Sequence, residues 1–261
     1  MTVDGSPSTH VRLEYQNPHV ALVTLDHPPA NTLSWESRRA LIHILDELDA
    51  DPDVRCLVIT GAGRRFTAGA NLREDQAMTD DQIEAFLGDF DRILTGIESF
   101  RAPVIAAING ATIGGGLEFA MACDIRIAST DAFFVAAGVN VGLIANFWRL
   151  ARITGLGPAK EILLTGDRYT AEQALTWGLV TEVHAPDAVL PAALAKAERI
   201  ATRAPLSVEA TKRCANVALD LQREPARALQ VENFLAMFRT EDHKEALAAF
   251  FEKRLGDYQR R

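Results

Sequence analysis

The run PVIAAINGATIGGGLEFAMACD, residues 103–124, constrains this chain more than any other. Val104, Ile105 and Ile108 form a short apolar, β-branched segment between Pro103 and Gly110, which reads as a buried strand. A helix is expected after it, because Leu117 to Cys123 is rich in good helix formers. Gly114, Gly115 and Gly116 would weaken a helix interior, but at the turn into one they leave bare backbone N–H groups facing outward. That end of a helix carries partial positive charge and holds anions. Glu118 follows Gly115 by three residues, so its carboxylate projects within one turn of those amides. Its neighbours Leu117, Phe119, Ala120 and Met121 are apolar, and such surroundings disfavour the charged form, as an acid or base working near neutrality requires. On its own, a glycine cluster can equally serve close packing of a helix on a sheet.

A second small-residue loop stands upstream, Phe66-Thr67-Ala68-Gly69-Ala70-Asn71-Leu72. It follows an apolar strand expected over 54–60, and its small side chains let backbone N–H groups approach a ligand. Gly61-Ala62-Gly63 invites a dinucleotide-binding reading, but Phe66 stands where the third glycine of that fingerprint belongs. A phosphate-binding Lys-Ser/Thr pair is missing as well.

The two stretches, in this order, resemble the signatures of the crotonase (enoyl-CoA hydratase/isomerase) superfamily over about residues 11–254. The resemblance implies an α/β fold, a crotonase-like (ClpP/crotonase) spiral of ββα repeats around two roughly perpendicular sheets. It also implies two regions, a core over 1–204 with an acyl-CoA site and a helical oligomerisation region over 205–261, assembled as a homotrimer or dimer of trimers. By the same resemblance, the N–H groups of Ala70 and Gly115 form an oxyanion hole for a thioester carbonyl, Glu118 is the acid/base, and the Ala68 carbonyl meets the adenine. Asn31, Arg73, Gly138, Asn140, Phe250 and Lys253 fall where relatives contact coenzyme A or the acyl group. Asn31 and Asn140 also read as turn residues, Arg73 as a solvated surface charge and Lys253 as a helix-end charge. The expected substrate is an acyl-CoA thioester, with no further cofactor and no metal.

Two positions depart from the family pattern. Asn71 stands where relatives usually have Asp, and Gly138 stands where hydratases carry a second glutamate, twenty residues after the first. Between Ala132 and Leu150 there is no acid at all, and Ala145-Asn146-Phe147-Trp148-Arg149 replaces a glycine-rich loop. Hydration of a 2-enoyl-CoA would then fall to Glu118 alone, returning the proton it took from water, or would need help from another group. Decarboxylation or hydrolysis on the same scaffold, or silent acyl-CoA binding, are the alternatives.

The remaining chain fits this frame. Strands are expected at 11–15, 20–25, 124–129 and 133–135, with Ser34 capping a helix whose apolar face is Leu41, Ile44, Leu45 and Leu48. A helix over 79–100 is expected to bury Ile83, Phe86, Leu87, Phe90, Ile93, Leu94 and Ile97. Beyond Pro186 the pattern is helical. A formal charge of −8 without a basic stripe argues against a nucleic-acid partner. Cys56, Cys123 and Cys214 are too far apart and too few for a disulfide framework or zinc site, and the six histidines show no ligand spacing. A polar start and the lack of a long apolar run point to a soluble, cytoplasmic protein with no membrane partner.

Overall fold

The computed structural model describes residues 10–144 and 147–261. Ten strands make two sheets: β1 Val11–Asn17, β2 Val20–Leu25, β3 Cys56–Gly61, β4 Arg65–Thr67, β5 Val104–Ile108, β6 Ala111–Ile113, β7 Ile125–Ser129, β8 Phe133–Val135, β9 Tyr169–Thr170 and β10 Glu182–His184. The larger sheet has the order β1-β2-β3-β5-β7-β10 and the smaller β4-β6-β8-β9. The chain therefore repeats one move. It lays a strand in the large sheet, turns into a short strand of the small sheet, and returns through a helix to the next parallel strand: β3 then β4, β5 then β6, β7 then β8. This is the spiral of ββα units expected.

Strands β2, β3 and β5 are buried along their whole length, which is why they read as near-continuous apolar runs, broken by Thr24 and Thr60. One face of the large sheet (Val23, Ile59, Ala106, Ile108) packs with the helices Trp35–Ala50, Asp80–Ser99 and Gly115–Ala122. The other (Leu22, Val58, Ile105, Ile127) is covered by Ala193 and Ala197 of the helix Val189–Ala201. Ser34 caps the first helix by accepting from the Ser37 amide. Leu41, Leu45 and Leu48 are buried there, as expected, with Ile44 packed at the edge of the core.

The helix Asp80–Ser99 departs from expectation. Phe90, Ile93, Leu94 and Ile97 are buried and Phe86 packs at the edge of the core, but Ile83 and Leu87 on the first two turns are exposed. The three-residue strands β4 and β6 were not anticipated, and the strand expected over 54–60 starts at Cys56.

The C-terminal part is helical, Pro205–Asn216, Arg223–Phe238 and Glu241–Glu252. Its first helix is tied to the core by Lys212, whose ammonium lies 2.7 Å from Asp124 and donates to the Ile97 and Ala102 carbonyls. Burial raises the Asp124 carboxyl above its usual range even with Lys212 opposing the shift. Among the described residues, no helix is long and apolar enough to cross a membrane.

Candidate active site

The two small-residue stretches meet. A Cβ on Gly69 would lie 2.6 Å from the backbone nitrogens of both Gly115 and Gly116, and a Cβ on Gly116 would lie 2.1 Å from the Thr67 carbonyl oxygen. Only glycine permits this approach of one backbone to the other. Gly114, with φ of 54°, turns the chain from β6 into the helix Gly115–Ala122. Glu118 lies in the first turn of that helix and is half-buried. Among the described residues, the amides of Ala70 and Gly115 donate to no protein acceptor. They belong to loop and helix positions that leave N–H groups unused.

The loop 67–71 is held from several sides. Thr67 donates its hydroxyl to the Asn31 carbonyl at 2.6 Å and accepts from the Gly69 amide at 3.0 Å. The Ala68 amide donates to Ala30, and the Leu33 amide donates to the Gly69 carbonyl at 2.8 Å. The Ala68 carbonyl sits 3.9 Å from a notional Cβ on Gly114, with the Ala137 side chain at 3.7 Å. Ala68, Ala70, Gly115 and the start of the 136–144 segment thus share one neighbourhood.

Asn31 ties its own turn to the 62–66 stretch of the chain. It is buried, and its amide nitrogen donates to the carbonyls of Ala62, Arg65 and Phe66, while its Oδ1 accepts from the His27 amide. Its side-chain groups bond the protein and so support the loop. Asn71 caps the short helix Leu72–Asp75 by accepting from the Arg73 amide, and its amide nitrogen donates to Glu74 at 3.2 Å. An Asp there would face the Glu74 carboxylate where Asn71 donates to it.

Arg73 is exposed on that helix. Gly138 lies in the 3₁₀ turn Ala137–Val141, its carbonyl accepting from the Leu143 amide. Asn140 donates to the Gly166 carbonyl at 2.9 Å, which ties this turn to the end of the helix Leu156–Thr165. Ala145 and Asn146 lie outside the described residues. Phe250 and Lys253 are exposed at the end of Glu241–Glu252, a helix that packs on Arg223–Phe238 rather than on the glycine turns.

Thr67 and Phe90 were not foreseen. The Phe90 ring reaches within 2.6 Å of where a Cβ on Gly115 would stand, so it forms the wall behind that glycine. No local signal separates Phe90 from the other apolar positions of its helix.

The family model for enoyl-CoA hydratase/isomerase matches residues 15–261. The (E)-benzylidenesuccinyl-CoA hydratase of Thauera aromatica is 41% identical over 249 residues, covering 94% of this chain and 96% of that protein. The short-chain-enoyl-CoA hydratase of Clostridium acetobutylicum is 36% identical over 240 residues, covering 90% and 92%. Among solved structures, an enoyl-CoA hydratase from Bacillus anthracis superposes with a TM-score of 0.94 at 32% identity, covering 97% of this chain and 100% of that one. Matches of this length and identity, on a spiral of ββα units with a helical C-terminal part, show that the chain belongs to the enoyl-CoA hydratase/isomerase family of the crotonase superfamily.

Proposed function

We propose that the protein is an enoyl-CoA hydratase, adding water across the double bond of a 2-enoyl-CoA. The observation that carries the reading is the pair of unused amides, Ala70 and Gly115, on two turns in backbone contact, with Glu118 one turn away. The thioester oxygen takes a hydrogen bond from each amide. Glu118, as carboxylate, accepts a proton from water while the water oxygen bonds to C3. The double-bond electrons pass through C2 to the carbonyl, giving an enolate whose oxygen the two N–H groups hold, each by about 3 kcal/mol. Glu118 then returns its proton to C2, which completes the 3-hydroxyacyl thioester with one acid where two would divide the work.

The coenzyme A moiety of the substrate lies along the Ala68 carbonyl and Arg73, with Phe250 and Lys253 supplied by a neighbouring copy of the chain. The chain divides into a catalytic spiral, 1–204, and an oligomerisation region, 205–261, and assembles as trimers or paired trimers. Exposed Leu72, Ile83 and Leu87 on one side, and Val139, Val141, Leu143 and Ile144 on the other, supply apolar walls for the acyl group around Gly138 and Asn140. The protein works in the cytoplasm.

The test is Glu118→Gln assayed with crotonyl-CoA by loss of enone absorbance. The variant should lose about 10²- to 10⁴-fold in kcat while binding the thioester nearly as well as wild type. Full activity in the variant would move the chemistry away from Glu118. A wild-type protein that binds crotonyl-CoA tightly and never turns it over would favour the silent acyl-CoA-binding alternative that Gly138 raises.

A further inference from the structure

Arg38 is the most deeply buried charged side chain described, at 1% exposure, and it is not part of the machinery above. Its Nη1 donates to the Leu33 carbonyl at 2.9 Å. Leu33 in turn donates its amide to the Gly69 carbonyl, one residue before the Ala70 amide. The same Nη1 lies 3.8 Å from a Glu74 carboxylate oxygen. Glu74 accepts from the Trp35 amide and from the Asn71 side chain, one residue after Ala70. Arg38 therefore reaches both flanks of the Ala70 amide.

The guanidinium also reaches the other half of the site. It stacks over the Phe86 ring, 4.7 Å from its centroid, with Asp89 3.8 Å from Nε. Phe86 stacks on Phe90 at 5.8 Å between centroids, and Phe90 is the wall behind Gly115. One path runs Arg38, Leu33, Gly69, and the other Arg38, Phe86, Phe90, Gly115. They close on each other where Gly69 meets Gly115.

We propose that Arg38 is a positioning residue that sets the spacing of the two oxyanion amides, holding the Ala70 loop through Leu33 and Glu74 and the Gly115 turn through Phe86 and Phe90. This rests on the hydratase reading and goes beyond it by naming what holds the two donors at their distance. A planar, permanently charged fork can bond a carbonyl, face two carboxylates and stack on a ring at once, whereas an ammonium offers no plane to stack. Hydrogen bonds to a carbonyl oxygen that gains charge in the transition state are sensitive to small displacements, so disturbing the clamp should act on kcat more than on KM.

The experiment compares wild type, Arg38→Met, Arg38→Lys and Phe86→Leu by steady-state hydration of crotonyl-CoA. A second readout is the red shift in absorbance of cinnamoyl-CoA on binding, which reports polarisation of the thioester carbonyl. Arg38→Met should lower kcat by about 10- to 100-fold with KM changed less than about threefold, and should shrink the red shift. Arg38→Lys should recover part of kcat through charge and one donor, and Phe86→Leu should lower kcat less than Arg38→Met. Losses from Arg38→Met and Phe86→Leu should combine less than additively, because both cut one path. If Arg38→Met does not fold, Arg38→Lys and Phe86→Leu decide the matter by the same two readouts.

Variants that melt earlier yet keep wild-type kcat and the full red shift at a temperature where they are folded would overturn the assignment and leave Arg38 a packing residue. A wild-type protein that neither hydrates crotonyl-CoA nor shifts the cinnamoyl-CoA spectrum would instead overturn the hydratase reading, and the assignment with it.

Discussion

At the glycine turns, backbone lies against backbone: Gly69 on Gly115 and Gly116, Gly116 on the Thr67 carbonyl, with Phe90 filling the space behind. In the C-terminal helices the opposite holds, and Phe234, Phe238, Phe250, Phe251 and Leu255 stand in solvent, Phe250 and Phe251 each at 76% exposure. The first region is completed by its own chain. The second presents an apolar surface of the kind that a partner covers. A site made of main-chain amides tolerates no slack, so its neighbours are locked within one subunit. An exposed helical surface carries no such constraint.

The sharpest way to break this contrast is Gly116→Ala. The added methyl would lie 2.1 Å from a backbone oxygen, so one of the two turns has to move, and kcat should fall by about 10²-fold or more. Hydration kinetics check this, with thermal unfolding as the control for gross damage.

Next is Lys212→Met, which strips the ammonium from half-buried Asp124 where the C-terminal part joins the core. The carboxylate keeps the Val104 amide at 2.7 Å, so losing the ammonium should cost about 2 kcal/mol, read from denaturant unfolding. If the two regions are as independent as the contrast implies, kcat below the transition should be close to wild type.

Phe250→Glu sharpens the other side. A charge in the apolar surface should lower the assembled mass in sedimentation velocity and leave the folded spiral intact by circular dichroism; an unchanged mass would place the interface elsewhere.

A smaller effect is chemical. Burial pushes the Cys56 and Cys123 thiols up to about 12, so both stay protonated at pH 8, and only half-buried Cys214 should react with a disulfide reagent in the native protein. All three should react after unfolding. The smallest is Gly157→Ala, in a helix with open space around that position, which should change stability by under about 1 kcal/mol, read from the thermal midpoint.

Much of this was legible in the sequence. Near-continuous apolar runs announced β2, β3 and β5, and Ser34 announced its helix, because burial on both faces and side-chain capping leave local marks. Both small-residue loops were visible for the same reason: close backbone contact requires glycine and alanine at fixed places. The three-residue strands β4 and β6 lie within small-residue loops and carry no apolar run of their own, whereas β8, equally short, showed as Phe133-Phe134-Val135. The work of Asn31 was hidden because the carbonyls it holds lie 31 to 35 residues away. Ile83 and Leu87 kept the core period without the core, since periodicity gives a face and not what the face meets. Arg38 did leave a mark that could have been read. It falls in register with Leu41, Leu45 and Leu48 on the buried stripe of its helix, where a charge has to find partners.

The most direct test is the carbonyl stretch of a 2-enoyl-CoA labelled with carbon-13 at C1, recorded by infrared difference spectroscopy free in water and bound to Glu118→Gln. Two amides on one oxygen predict a clear move to lower frequency on binding, showing a carbonyl more polarised than in water. A stretch at the aqueous position or above it would mean that Ala70 and Gly115 do not share that oxygen, and would contradict the account.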